Sequence, residues 1–211
     1  MSHNGWMSGA ESTTHPPRLG TALSRQAAVD AATRLYLAGD PVDMSALAAE
    51  LGIGRSTLYR LVGNREDLLS TVLAEATERT FRRSVAKISA GNGDTAGVDR
   101  LLAVMEHFLN AVADAKPLQA VSQREPLLIV RLMLLPGLVE QTAGRLIGEV
   151  LEAEVAAGRL ELPLPPSTFG LALIRMCDAH LYAPLLGGGP PEIDTALDLV
   201  AAFLGHSRTD G

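Results

Sequence analysis

The chain has 211 residues, nearly half of them apolar and few of them aromatic, so Leu, Ala and Val must fill its core. Its formal net charge of −6 argues, taken alone, against a nucleic-acid-binding protein. The charge is uneven, however, because residues 18–90 carry a net +2 and residues 91–211 a net −7. This asymmetry is typical of a DNA-binding segment joined to an acidic body.

Cysteine content and hydropathy exclude several further classes of protein. Cys177 is the single cysteine, which excludes an intrachain disulfide and a cysteine-based zinc site. No apolar run reaches membrane-spanning length, and the first twenty residues lack the apolar core of a signal peptide. We therefore expect a soluble, cytoplasmic protein without a membrane partner.

The first ninety residues predict a disordered arm and four helices. Residues 1–20 are polar and rich in Ser, Thr, Pro and Gly, which predicts the arm. Apolar residues at helical spacing predict helices at about 25–38, 44–51 and 55–61. Asp43 is predicted to cap the second helix, and Asn64 a long fourth one.

The remaining residues predict further helices and no strand. A loop at 91–94 marks a domain boundary, and helical patterns follow at about 98–114, 117–123, 126–135, 136–157, 167–186 and 192–204. Because no segment alternates as a strand does, the predicted fold class is all-α.

Residues 44–61 predict a helix-turn-helix, in which Gly52 supplies the chain reversal. Gly54 leaves the start of the second helix free of bulk, so its backbone N–H groups can point at a phosphate. The solvent-facing residues of that helix are Arg55, Ser56, Thr57, Tyr59 and Arg60. Such side chains can bond base edges or phosphates. The alternative is a solvated helical hairpin with no role in DNA binding.

Three stretches resemble the DNA-binding domain of the TetR family of bacterial regulators. They are SRQAAVDAATRLY at residues 24–36, LAAELGIGRSTLYR at 47–60 and LVGNREDLL at 61–69. Two features depart from the family pattern: Gly54 stands where a Ser or Thr cap is usual, and Leu61-Val62-Gly63 replaces an aromatic pair and a proline. The resemblance implies an all-α protein with an N-terminal three-helix helix-turn-helix domain and a C-terminal helical domain that binds a ligand and dimerises.

The resemblance also implies residue roles at the DNA. Arg55, Ser56 and Thr57 would enter the major groove, and Tyr59 and Arg60 would reach phosphates or base edges. Ser45 and Arg65 would clamp the DNA backbone. The implied domain limits are 1–20 for the arm, 21–66 for the DNA-binding domain, 67–90 for a connecting helix and 91–211 for the effector-binding and dimerisation domain.

The last two long helices are implied to form a homodimer. Apolar residues follow one stripe on each of them, and two copies would bury these stripes as a four-helix interface. The stripes comprise Phe169, Leu173, Met176, Leu181, Leu197, Val200 and Phe203. The alternative is that they face only the core of the monomer.

An effector pocket is implied among the helices after Gly93. Candidates for its lining are soft or polar residues on apolar helices: Met105, Phe108, Arg124, Met133, Arg175, Met176, Asp178 and Tyr182. Core packing, or an internal ion pair for the arginines, is the alternative. Cys177 and His180 share a helix face, but no third group completes a catalytic or metal site, so we predict no catalytic residue, metal or cofactor.

These observations lead to a functional hypothesis. The chain is predicted to be a ligand-responsive repressor that binds a palindromic operator in double-stranded DNA as a homodimer. Its small, largely apolar effector would be a lactone or a similar metabolite, because residues 124–126 and the apolar C-terminal helices resemble regulators of acyl-lactone breakdown. The alternatives are a helical small-molecule-binding or enzymatic protein with a vestigial DNA-binding head, and a constitutive DNA-architectural protein.

Overall fold

The computed structural model describes residues 21–91 and 95–206, which form helices and contain no strand. The helices are α1 (Thr21–Ala38), α2 (Met44–Glu50), α3 (Arg55–Val62), α4 (Arg65–Ala90), α5 (Gly97–Ala113), α6 (Lys116–Arg124), α7 (Pro126–Ile129), α8 (Leu138–Ala156), α9 (Pro166–Leu181) and α10 (Ile193–Phe203). A π-helical segment, Val130–Leu134, continues α7, and a 3₁₀ turn, Ala183–Leu186, follows α9. The all-α prediction is confirmed. The predicted arm at 1–20 and most of the predicted 91–94 loop lie outside the described residues.

Helices α1 to α3 pack around a small core and form the head of the molecule. Leu47 of α2 and Leu58 of α3 are fully buried, as are Ala28 and Ala32 of α1. Each of the three helices contacts the other two, and this shared core holds the helix-turn-helix together. The predicted boundary at 66–67 falls inside the first turn of α4, which runs unbroken from the head into the body.

Local capping signals fix where α2 and α4 begin. The Asp43 carboxylate accepts hydrogen bonds from the backbone N–H groups of Ser45 and Ala46, at 2.8 and 2.7 Å. Asn64 and Asp67 form a reciprocal capping box at the start of α4. Both predicted caps are therefore confirmed, and they fix where α2 and α4 begin.

Gly63 explains one departure from the family pattern. It adopts φ +75°, a conformation that proline cannot reach because its ring holds φ near −65°. A Cβ atom at this position would also lie 2.4 Å from an Asp67 carboxylate oxygen. Glycine is therefore required by the backbone between α3 and α4.

The body is organised around the close pairing of α8 and α9. A Cβ atom on Gly170 would lie 2.1 Å from the carbonyl oxygen of Gly144, so the two backbones touch without intervening side chains. Helices α4 and α5 cover one side of α8, and α10 packs on α9 and α5. This layering encloses a core of Leu, Ile and Val side chains.

The apolar stripes on α9 and α10 face this core rather than a partner. Five members of the predicted interface are buried within the monomer: Phe169, Leu173, Leu181, Leu197 and Val200. Only Phe203, 55 % exposed, and the half-buried Met176 retain accessible surface. The predicted interface role is therefore corrected for these five residues, because the core of the monomer buries them, whereas Phe203 remains accessible to a partner.

Within residues 21–91 and 95–206, no single helix is both long enough and apolar enough to cross a membrane. One pair, Pro126–Leu134 with Leu138–Ala156, meets the length and composition requirement jointly but is bent by 44°.

Candidate DNA-binding and effector sites

Helix α3 presents the predicted DNA-contacting residues on one surface. Leu58 and Val62 anchor the helix in the head, so its opposite side faces solvent. On this opposite side, four side chains are exposed: Arg55, Ser56, Tyr59 and Arg60. The side chain of Thr57 is half-buried. The surface carries two arginines and no acid, as a groove lined by phosphates requires.

The start of α3 has free backbone donors. Gly54 is extended and contributes no side-chain cap, while its carbonyl accepts from the N–H groups of Thr57 and Leu58. The first N–H groups of a helix that lacks a side-chain cap suit a phosphate oxygen. Ser45 differs, because its N–H is already bound by Asp43 and only its exposed side chain is available.

Arg65 occupies a different place from the one predicted. Its guanidinium donates to both carboxylate oxygens of Glu125, at 2.6 and 2.7 Å, and its Nε donates to the carbonyl oxygen of Val42 at 2.8 Å. All three nitrogens are thus engaged by partners within the protein. We conclude that Arg65 joins the head to the body, and its expected role as a DNA clamp is set aside.

Two further arginines of the body reach the head. Arg124 donates to the carbonyl oxygen of Gly39 at 2.9 Å, and Arg131 pairs with Glu66 at 2.9 Å. With the Arg65–Glu125 pair, these contacts form what we call the head–body latch. Arg124 therefore lies outside any internal pocket, which corrects its assignment as an effector ligand.

The ion pair of the head–body latch shifts the pKa values of both its partners. The hydrogen bonds from Arg65 hold the pKa of the Glu125 carboxyl below its ordinary value, and partial burial opposes this effect. The pKa of Arg65 is raised by the same pair. Both groups are therefore charged across the neutral range, so the latch persists there.

A small cavity lies inside the body, and we call it the inner cavity. Its volume is about 20 Å³. Four predicted effector residues line it: Phe108, Met133, Asp178 and Tyr182. Met133 lies on the π-helical segment, a kind of irregularity that is frequent at functional sites.

The other predicted effector residues lie elsewhere. Met105 is fully buried in the core, and Met176 is half-buried but does not line the inner cavity. Arg175 is half-exposed and donates to Glu140 at 2.5 Å, which is the ion pair given as its alternative. Thr77 and Glu140, which the sequence analysis missed, do line the cavity.

The polar groups of the inner cavity are strongly perturbed by burial. Desolvation, followed by the nearby Glu140 charge, raises the pKa of Asp178 to about 8. Desolvation also raises the pKa of Tyr182 well above its ordinary value, with smaller contributions from Asp178 and from Tyr36 of the head. At neutral pH the site therefore offers two hydroxyl donors, one carboxylic and one phenolic.

A second, open space adjoins the inner cavity, and we call it the outer groove. Its volume is about 220 Å³, and its walls are mostly apolar. Leu118 and Ser122 of α6 form one wall, and Pro184 and Leu185 of the 3₁₀ turn form the other. Val112, Leu181 and Tyr182 line both spaces, so the two spaces lie next to each other.

Cys177 and His180 show no catalytic arrangement. Burial raises the pKa of the Cys177 thiol to about 12, so the nucleophilic thiolate is not formed at neutral pH. His180 pairs instead with Glu192 at 3.0 Å. Among the described residues, no group of three metal-binding side chains comes together.

The fold and these sites define the class of the protein: a helix-turn-helix DNA-binding regulator with an effector domain that encloses a cavity. Residues 96–205 match the family described as "Tetracyclin repressor-like, C-terminal domain". The chain belongs to the TetR family of transcriptional regulators.

Solved structures agree with this assignment. The transcriptional repressor QsdR of R. erythropolis is 45 % identical, the match covers 91 % of this chain and all of that one, and the TM-score is 0.86. AlkX of Dietzia sp. strain DQ12-45-1b, a TetR-family repressor implicated in biodegradation of n-alkanes, is 20 % identical over 88 % of this chain and 96 % of that one. Its TM-score of 0.60 shows the shared fold. No functionally curated protein matches the chain.

Proposed function

We propose that this regulator is a repressor that binds a palindromic operator as a homodimer and is released by a small, largely apolar effector. The observation that carries the proposal is the exposed α3 surface, on which Arg55, Ser56, Tyr59 and Arg60 surround an uncapped helix start. Two such helices about one DNA turn apart, roughly 34–36 Å, would read two half-sites. The repressor relative supports the direction of regulation.

Dimerisation would use the outward sides of α9 and α10. Ala172 and Ala179 are exposed on α9, and Leu199 and Phe203 are exposed on α10. Leu199 is 42 % and Phe203 55 % exposed, so these two residues offer apolar surface that a second copy of the chain would cover. We therefore retain the last two helices as the interface but assign it to these residues.

The effector would act through α6. This helix forms a wall of the outer groove and ends at Arg124, where the head–body latch begins. An effector that occupies the groove would displace α6 and with it the position of Glu125 relative to the head. A coupling of about 1–3 kcal/mol between the two sites is sufficient for such regulation.

Several further assignments accompany this proposal. We retain the domain limits, the cytoplasmic location and a lactone or similar metabolite as effector class. We infer no enzymatic function, because the protonated Cys177 thiol and the paired His180 offer no activated nucleophile.

An operator-binding assay tests the proposed function. DNA selected from a random library by the purified protein would be used in gel shifts with Tyr59→Ala and Arg60→Ala. Each variant should bind at least about five-fold more weakly, because a direct base contact contributes about 1–3 kcal/mol. Arg83→Ala is the matched control, since Arg83 is exposed on the part of α4 that lies in the body. Wild-type binding by both α3 variants would overturn the assignment.

A further inference from the structure

The polar end of the inner cavity is acidic. Glu140 of α8 and Asp178 of α9 both face it. The Glu140 charge is balanced by Arg175, whose half-exposed guanidinium lies outside the cavity lining. Among the described residues, no cationic side chain pairs with Asp178. A negatively charged group entering the cavity would therefore find no counter-charge.

We propose that the inner cavity selects effectors with an uncharged head that accepts a hydrogen bond, such as the carbonyl of an ester, lactone or amide, and that Asp178 donates to it. This inference rests on the proposed effector role of the cavity and names its ligand class. Asp178 is nine-tenths buried, so an unpaired charge on it would be costly. A carbonyl acceptor satisfies the protonated carboxyl without introducing a charge.

Cationic and anionic heads are both disfavoured by the same surroundings. An anion would lie beside Glu140 and lose its hydration without a partner. An ammonium head would have to ionise Asp178 and bury both charges among Phe108, Met133 and Ile174, where the pairing gain roughly cancels the desolvation cost. A neutral acceptor meets neither penalty.

The dimensions of the two spaces assign the parts of the effector. The inner cavity, about 20 Å³, has room for a group the size of a water molecule, which fits a carbonyl and excludes a bulky head. The apolar outer groove, about 220 Å³, would hold an aliphatic chain. Tyr182 lines both spaces, and its hydroxyl is a second donor for the same carbonyl.

Protonation of Asp178 makes binding depend on pH. Burial raises its pKa to about 8, so it is a donor at pH 7 and loses the proton above pH 8. The titratable and charged groups around it are Glu140 of α8, Arg175 and Cys177 of α9, Tyr182 at its end and Tyr36 of α1. Helices α4 and α5 and the π-helical segment contribute only non-titrating side chains to the cavity wall: Thr77, Phe108, Val112 and Met133. The pKa values of the tyrosines and of Cys177 are raised, so these groups stay protonated near pH 8.

Three probes with the same chain and different heads test the proposal: octanamide, octanoate and octylamine. Calorimetric titration into the full-length protein at pH 7 should show octanamide binding at least ten-fold more tightly than either charged probe. The affinity for octanamide should be constant from pH 6 to 7 and about ten-fold weaker at pH 9, because one proton is lost with a pKa near 8.

Variants assign the effect to Asp178. Asp178→Asn keeps a donor and should retain octanamide binding without the loss at pH 9, whereas Glu161→Gln, at an exposed acid before α9, should behave as the wild type. The wild-type pH profile provides a test even if Asp178→Asn fails to fold. Equal binding of octanoate, no binding of octanamide, or a pH profile unchanged by Asp178→Asn would overturn the inference. None of these outcomes affects the operator assay with the α3 variants, so failure of the inference is distinguishable from failure of the proposed function.

Discussion

The Arg65–Glu125 pair should couple the head to the body by a measurable free energy. Its two hydrogen bonds are 2.6 and 2.7 Å long, and its side chains are 32 % and 30 % exposed. Breaking a buried ion pair costs about 3–5 kcal/mol, and an exposed pair contributes about 0.2–1 kcal/mol. For this intermediate exposure we expect a coupling energy of about 1–2 kcal/mol, which is a change in Tm of about 2–8 °C at this size.

A double-mutant cycle with Arg65→Ala and Glu125→Ala, followed by urea unfolding, measures this energy. Arg65→Ala also removes the bond to the carbonyl oxygen of Val42, but that loss occurs on both sides of the cycle and cancels. The Arg34–Glu50 pair is the control, because it has one bond of 2.7 Å and side chains 64 % and 49 % exposed. We expect its coupling to stay below about 0.5 kcal/mol.

The pH dependence of the cycle provides a second check. Because the folded-state pKa of Glu125 is lowered, its stabilising contribution is complete above the ordinary carboxylate pKa and is lost as the pH falls through the lowered value. The reasoning is refuted if the coupling of Arg65 and Glu125 does not exceed that of the control pair at pH 7, or if it survives unchanged at pH 2.

Two further predictions concern the body. The pKa of Asp178 is raised from 3.8 to about 8 by folding, so stability should be greatest below pH 3.8 for this group and decline as the pH rises to 8. Asp178→Asn should remove that decline and stabilise the free protein at pH 8 by up to about 5 kcal/mol in urea unfolding, since the pKa rises by about four units and each unit corresponds to about 1.4 kcal/mol; equal stability of the two proteins at pH 8 would contradict it. A Leu199→Asp, Phe203→Asp double variant should be monomeric by analytical ultracentrifugation at micromolar concentration, while Leu37→Asp, at an apolar residue 59 % exposed in the head, should stay dimeric. A dimeric double variant would rule out α10 as the interface.

Local sequence signals were sufficient for the head. Asp43 and Asn64 act on N–H groups two or three residues away, so the residue types alone predict where α2 and α4 begin. Leu58 and Val62 recur at helical spacing, which predicts the exposed side of α3 directly. The all-α class and the exposed residues of α3 follow from such short-range rules.

Helical periodicity predicted the apolar stripes on α9 and α10 but not what covers them. A stripe reports that one side of a helix is buried, and a core and a partner subunit satisfy it equally. Only the packing of α8 against α9, made close by Gly144 and Gly170, shows that most of these side chains are buried in the core of the monomer.

The effector site and the latch were decided by the tertiary structure. Arg65 and Glu125 are sixty residues apart in the chain, and Glu140 reaches Arg175 across thirty-five, so no local pattern pairs them. The sequence therefore indicates that a buried charged residue needs an oppositely charged partner, but it does not identify that partner. The sequence by itself determined the all-α class, the starts of α2 and α4 and the exposed side of α3, because caps and periodicity act within a few residues. The tertiary structure decided which arginines serve the latch and which acid faces the cavity, because those contacts depend on how distant helices pack.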